Sequence, residues 1–132
     1  MVLIDSSVLI AAERRQLDLD AVLQRLGDEE MALSAVTASE LLHGVFRAGM
    51  RARRAPREAF VERTLGAFPV LAFDLTAARI HARIWASLAA KGLTVGAHDL
   101  LIAATALAHG ATVATRDERS FPRIPGLRLA RL

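Results

Sequence analysis

The chain is 132 residues long, room for one domain built around a single core. It has no cysteine, which excludes disulfides, zinc thiolate sites and thiol catalysis, and no apolar run reaches the ~20 residues that a membrane-spanning helix needs. The net charge of +3 hides a lopsided make-up: Lys91 is the only lysine, so arginine supplies nearly all the positive charge.

Short strand signals alternate with longer helix signals, the pattern of an α/β domain with a parallel sheet of about four to five strands flanked by helices. Residues 2–5 enter an apolar strand directly, with no basic stretch ahead of it, so a cytoplasmic protein is expected. Helices are predicted over 8–15 and 20–26, the second started by Asp18 or Asp20 as N-cap, and a short strand over 31–34. A helix over 37–48 follows, with Thr37 and Glu40 at the spacing of a capping box. Residues 49–56 read as a breaker-rich, arginine-rich connection, 57–67 as a helix and 70–73 as a brief strand. The segment 76–90 is the clearest amphipathic helix, with Ile80, Ile84, Trp85 and Leu88 on one side, an Asp74 N-cap and Gly92 as its stop. Residues 97–109 are apolar almost all round after Asp99, which predicts a buried helix closed by Gly110. Strands over 112–114 and 128–129, separated by 116–126, complete a single domain over residues 1–132.

Four acids stand at the mouths of these elements. Asp5 ends the first strand, Asp117 follows a late one, and Glu40 and Asp99 fall in the first turns of two helices. Open α/β sheets bind ligands beyond the carboxyl ends of their strands, so the four are expected to converge. Each has a plainer role when taken alone: Asp5 as a helix cap, Glu40 in its capping box, Asp99 at the positive end of its helix, Asp117 in a turn. Together they cannot all be ionised in a small space without a cation, which points to a metal-dependent enzyme. Asp18, Asp20, Asp28, Glu29, Glu30, Glu58 and Glu62 lie in polar surroundings and read as solvated.

Four segments also carry a resemblance. Leu3-Ile4-Asp5-Ser6-Ser7-Val8-Leu9-Ile10, Ala38-Ser39-Glu40-Leu41-Leu42-His43-Gly44-Val45, His98-Asp99-Leu100-Leu101-Ile102-Ala103-Ala104 and Ala114-Thr115-Arg116-Asp117-Glu118-Arg119-Ser120-Phe121 stand in an order and at spacings that closely resemble the PIN-domain ribonucleases. Among these the match is to the VapC-type toxins of bacterial toxin–antitoxin pairs. The resemblance implies a parallel sheet flanked by helices, Mg²⁺ or Mn²⁺ as cofactor, endonucleolytic cleavage of RNA, silencing by a VapB-type antitoxin, and a homodimer. It places Asp5, Glu40 and Asp99 on the family's three near-constant acids and Asp117 on its more variable fourth. Ser6 or Ser7 and Thr115 take the small hydroxyl positions that support the metal site. Many relatives have asparagine where Asp117 stands, and some carry a further acid where this chain has Ser120, which favours one fully occupied metal site over two. On this reading Asp5 and Asp99 are the firmest ligands, Asp117 binds directly or through water, and Glu40 holds a water or acts as general base.

The arginines Arg47, Arg51, Arg53, Arg54 and Arg57, with Arg116 beside the fourth acid, are candidates for a phosphate-facing surface or for meeting an acidic antitoxin tail. A solvated loop between helices, and the preference of GC-rich genomes for arginine, are the plainer explanations. Trp85 and Phe60 fit core positions, so base stacking is not expected. His43, His81, His98 and His109 show no acid–base pairing, and only His98, next to Asp99, is placed to approach a substrate. A haloacid-dehalogenase-like phosphotransferase needs a second acid where Ser7 stands, and a receiver domain needs an acidic pair and a late lysine that Lys91 does not supply. The alternative from another class is a catalytically inactive PIN-fold module that binds RNA or protein. A third possibility, cleavage of single-stranded DNA or flaps, lacks the appended clamp that flap processing calls for.

Overall fold

Val2, Leu3 and Ile4 form the first strand, β1 (Val2–Ile4), and all three are buried, as a strand covered on both faces requires. In the computed structural model, which describes residues 1–49 and 51–132, β1 is followed by α1 (Ser6–Glu13), α2 (Leu19–Leu26), β2 (Met31–Ser34) and α3 (Ala35–Arg47). Then come α4 (Arg51–Ala67), β3 (Val70–Leu71), α5 (Leu75–Ala90), α6 (Ala97–Ala108), β4 (Thr112–Thr115), a 3₁₀ turn (Phe121–Arg123) and β5 (Arg128–Arg131). The five strands form one parallel sheet in the order β3-β2-β1-β4-β5.

Successive residues of a strand face opposite ways, and the two cores follow from that alternation. Leu3 and Val113 join Leu88 of α5, Leu100, Ile102, Ala103 and Ala106 of α6, and Phe121 on one face. Ile4 and Leu33 join Val8 and Leu9 of α1, Leu41 and Val45 of α3, and Val61 of α4 on the other. The chain leaves β1 towards β2 and later returns to β4 on its opposite side, so strand order switches at β1. The register pairs Ile4 with Ala114, which sets Asp5 beside Thr115 at the carboxyl ends of the two strands.

Most elements fall where the sequence predicts them, and four details differ. Helix α1 begins at Ser6 instead of residue 8, because Asp5 itself caps it, accepting from the Ser7 N–H at 3.4 Å. Helix α3 is capped by Ser34, whose Oγ accepts from the Thr37 N–H at 2.9 Å, so Thr37 and Glu40 form no capping box and Glu40 lies in the second turn. The expected connection over 49–56 is helical from Arg51, with Pro56 inside α4. Arginine and alanine are good helix formers and carry the helix past Pro56, which as an interior residue gives up its bond to the Ala52 carbonyl and crowds it. Trp85, expected in the core, is 62% exposed. The stripe that packs inward on α5 runs Ala77, Ile84, Leu88, and one residue along a helix turns about 100°, which carries Trp85 past its edge. Phe60 does pack against the core, and Asp18 and Asp74 cap α2 and α5 as expected.

Candidate active site

Asp5 leaves β1 at the switch point with only 4% of its surface exposed, so its charge must be matched locally. Its Oδ2 accepts from Ser7 Oγ at 2.6 Å and from Thr115 Oγ1 at 3.0 Å. Ser7 Oγ in turn accepts from the Arg116 N–H at 3.0 Å, and Thr115 Oγ1 from the Asp117 N–H at 2.9 Å. The bonds found for this carboxylate all fall on Oδ2, which leaves Oδ1 available. Two hydroxyls more than a hundred residues apart in sequence, one from α1 and one from β4, thus orient one buried acid.

The other three acids arrive from different elements. Glu40 comes from the second turn of α3; Ser6 Oγ donates to its Oε1 at 3.4 Å, and His98 Nδ1 lies 3.6 Å from Oε2. Asp99 stands in the first turn of α6. Asp117 follows β4 in a turn that its own side chain closes, Oδ1 accepting from the Arg119 N–H at 2.8 Å. Burial and then the neighbouring Asp5 charge push the Glu40 carboxyl above its ordinary range, with Asp99 adding to this and His98 opposing it. Asp99 is also pushed up, first by burial, while the Ser120 hydroxyl opposes the shift and Asp5 and Asp117 reinforce it. Each of the four acids is therefore felt by at least one other, as their placement in the sequence predicts.

As the side chains stand, no three His, Asp or Glu among the described residues are gathered closely enough to hold one ion. Like charges do not close up on one another without a cation between them. The donor set itself is all oxygen, the kind that hard divalent cations take.

Beyond the acids, the supporting hydroxyls Ser6, Ser7 and Thr115 are all in place. The arginines divide. Arg57 is committed to structure, its Nε 3.0 Å from Glu13 Oε1 and its guanidinium also donating to the Gly44 carbonyl. Arg54 lies over the exposed Phe46 ring, 5.2 Å from its centroid. Arg47, Arg53 and Arg57 line a cavity of about 370 Å³, and a smaller one of about 170 Å³ runs between Arg47, Arg57 and Glu40. Arg116 is exposed, and its backbone N–H donates to Ser7 Oγ, which in turn holds Asp5. The Arg51 side chain lies outside the described residues. His81 stacks edge-on to Phe73 and beside Trp85, and His109 ends α6, so neither reaches the site. Sequence reasoning passed over Gly96, at the start of α6 three residues before Asp99, and the Asp99 carboxylate stands against it.

A family model for the PIN domain matches residues 2–127. The chain belongs to the PIN-domain family. This PIN domain is 35% identical over 125 residues to the Rickettsia felis protein named Ribonuclease VapC1, an alignment covering 95% of this chain and 91% of that one. It is 36% identical over 104 residues to the tRNA(fMet)-specific endonuclease VapC of Salmonella typhimurium, covering 79% and 76% of the two chains. A crystal structure described as a member of the VapBC family of toxin-antitoxin systems, VapBC-5 from Mycobacterium tuberculosis, matches with a TM-score of 0.81 at 34% identity, over 98% of this chain and 97% of that one. No helix among the described residues is long and apolar enough to cross a membrane.

Proposed function

We propose that this PIN domain is a Mg²⁺- or Mn²⁺-dependent endoribonuclease, the toxin of a cytoplasmic toxin–antitoxin pair. What supports the reading is that Asp5, Glu40 and Asp117 are linked through the Ser6, Ser7 and Thr115 hydroxyls and His98 at the ends of β1 and β4, with Asp99 next to His98, in a chain whose relatives bear the name ribonuclease. Asp5 and Asp99 would hold the cation, with Asp117 binding directly or through water. Once bound, such an ion polarises a phosphoryl oxygen and lowers the pKa of a coordinated water. Asp5 is pre-oriented for this by Ser7 and Thr115, so little rearrangement is needed to present Oδ1. Glu40, pushed up by burial, is suited to accept a proton and would take that of the attacking water.

Arg47, which lines both the cavity beside Glu40 and the neighbouring one that Arg53 lines, would seat the RNA backbone together with Arg53, and Arg116 would add a further contact. A structured RNA such as a tRNA, recognised by shape and backbone, suits a surface with so few aromatic groups. The same arginine-lined channel suits the acidic segment of a VapB-type antitoxin. A second copy of the chain would cover Trp85 and Leu93, which stand exposed beside an apolar cavity of about 530 Å³ on α5 and α6.

Purified, antitoxin-free protein incubated with total RNA is expected to yield discrete fragments in Mg²⁺ or Mn²⁺, none in EDTA, and none from Asp5→Ala. Absence of cleavage under every ion, from protein shown to be folded, would favour the binding-module alternative; the presence of all four acidic residues in the chain supports the enzyme reading over it. The arginine assignment has its own check. In an inactive background, replacing Arg47 and Arg53 by alanine is expected to weaken RNA binding and to flatten the dependence of log K on log salt by about 1–2. An unchanged slope removes both residues from the interface.

A further inference from the structure

Gly96 is the N-cap residue of α6, with φ −52°, a conformation open to any residue. Its lack of a side chain matters for space instead. A Cβ there would lie 2.9 Å from Asp99 Oδ2, 3.5 Å from Asp99 Cγ and 3.6 Å from Ser120 Oγ. The Asp99 carboxylate thus occupies the room that a side chain at position 96 would take.

Ser120 completes the arrangement from the far side of the chain. It is the N-cap of the 3₁₀ turn, a place where serine ordinarily accepts from its own helix, yet its side chain makes no such bond. Its Oγ instead accepts from the Gly96 N–H at 3.4 Å. Accepting that bond leaves the hydroxyl proton free, and the Asp99 carboxylate is the group nearby: both border the space that a Gly96 Cβ would fill. Ser7 and Thr115 show the principle at Asp5, where a hydroxyl that accepts from a backbone N–H also donates to the carboxylate without adding charge.

We propose that Gly96 and Ser120 are positioning residues for Asp99, the glycine leaving room for the carboxylate and the serine hydroxyl turning it to face a divalent cation. This rests on the metal-dependent reading above. Neither residue touches the substrate; both act through Asp99.

The test is calorimetric titration of the full-length chain with Mn²⁺ alone, alongside the melting temperature of the metal-free protein. Ser120→Ala is expected to weaken Mn²⁺ binding about 10-fold, within the range for loss of a residue that orients a ligand. Ser120→Thr keeps the hydroxyl and is expected to stay within about 3-fold of the parent. Gly96→Ala is expected to weaken binding at least as much as Ser120→Ala. The atom in its way is the tip of a side chain, so the fold survives while Asp99 turns aside. In all three variants the metal-free melting temperature is expected to hold, and in RNA cleavage kcat falls while KM does not. Equal Mn²⁺ affinity in the parent and Ser120→Ala, or equal loss in Ser120→Ala and Ser120→Thr, overturns the positioning role and leaves the metal-dependent reading intact. A parent chain that takes up no Mn²⁺ overturns both.

Discussion

Replacing Asp99 by asparagine is expected to abolish RNA cleavage and, in the same protein, to raise the stability of the metal-free fold. Loss of a cation ligand removes several kcal/mol of transition-state stabilisation, a fall of about 1000-fold or more. The stability effect has the opposite sign because Asp99 is held in the fold against its electrostatic preference. Burial, with the Asp5 and Asp117 charges, raises its carboxyl above the unfolded value of about 3.9. Between the unfolded and the folded value the native state binds more protons than the unfolded chain, so stability falls as pH rises through that window. Above it the full penalty applies, and neutral pH lies on the penalised side. Glu40 is raised for the same reasons and adds to the slope. Asp99→Asn should therefore melt a few degrees higher than the parent at pH 7 without metal, and the two should converge as pH falls below the unfolded value. Thermal melts from pH 3 to 8 beside a cleavage assay decide it. Undiminished cleavage, or a lower melting temperature at pH 7, would falsify the assignment. The expected combination is that of a functional site that costs stability.

Phe121→Ala is expected to have the largest effect on the fold, costing about 3–5 kcal/mol. Phe121 is fully buried and belongs to the cluster that ties α5, α6 and the sheet together. Truncation leaves a cavity where the 3₁₀ turn meets α6, and the protein has only about 5–15 kcal/mol in all. The melting temperature should drop by more than about 10 °C, measured by circular dichroism. Because Ser120 directly precedes Phe121, the same change should loosen Mn²⁺ binding even at temperatures where the variant is folded. A drop smaller than about 3 °C would mean that the turn contributes little to the core.

The acids make a useful measure of what one dimension can carry. Asp5 was legible because a charge at the end of Val2-Leu3-Ile4 is costly unless used, and Asp99 because an apolar helix begins directly after it. The plainer reading of Asp5 as a cap is also right: one oxygen can serve its neighbours while the other stays available. The plainer role offered for Glu40, a capping box with Thr37, fails, since Ser34 and not Thr37 starts its helix. Arg57 looked like its arginine neighbours until the fold set Glu13 of α1 against it.

What this sequence determined by itself is local and periodic: the alternation of strands and helices, the buried apolar helix α6, the caps at Asp18 and Asp74, and the acids at element mouths. Such features depend on residues a few positions apart, whose spacing matches the repeat of a helix or a strand. Only the tertiary structure decided that Asp5 would meet Thr115, that Trp85 would stay outside the core, and that Gly96 and Ser120 would bracket Asp99. Those outcomes turn on which distant segments touch and in what register. A hydroxyl or a missing Cβ acquires its meaning from the group opposite it, and that group is named nowhere in its own neighbourhood of the chain.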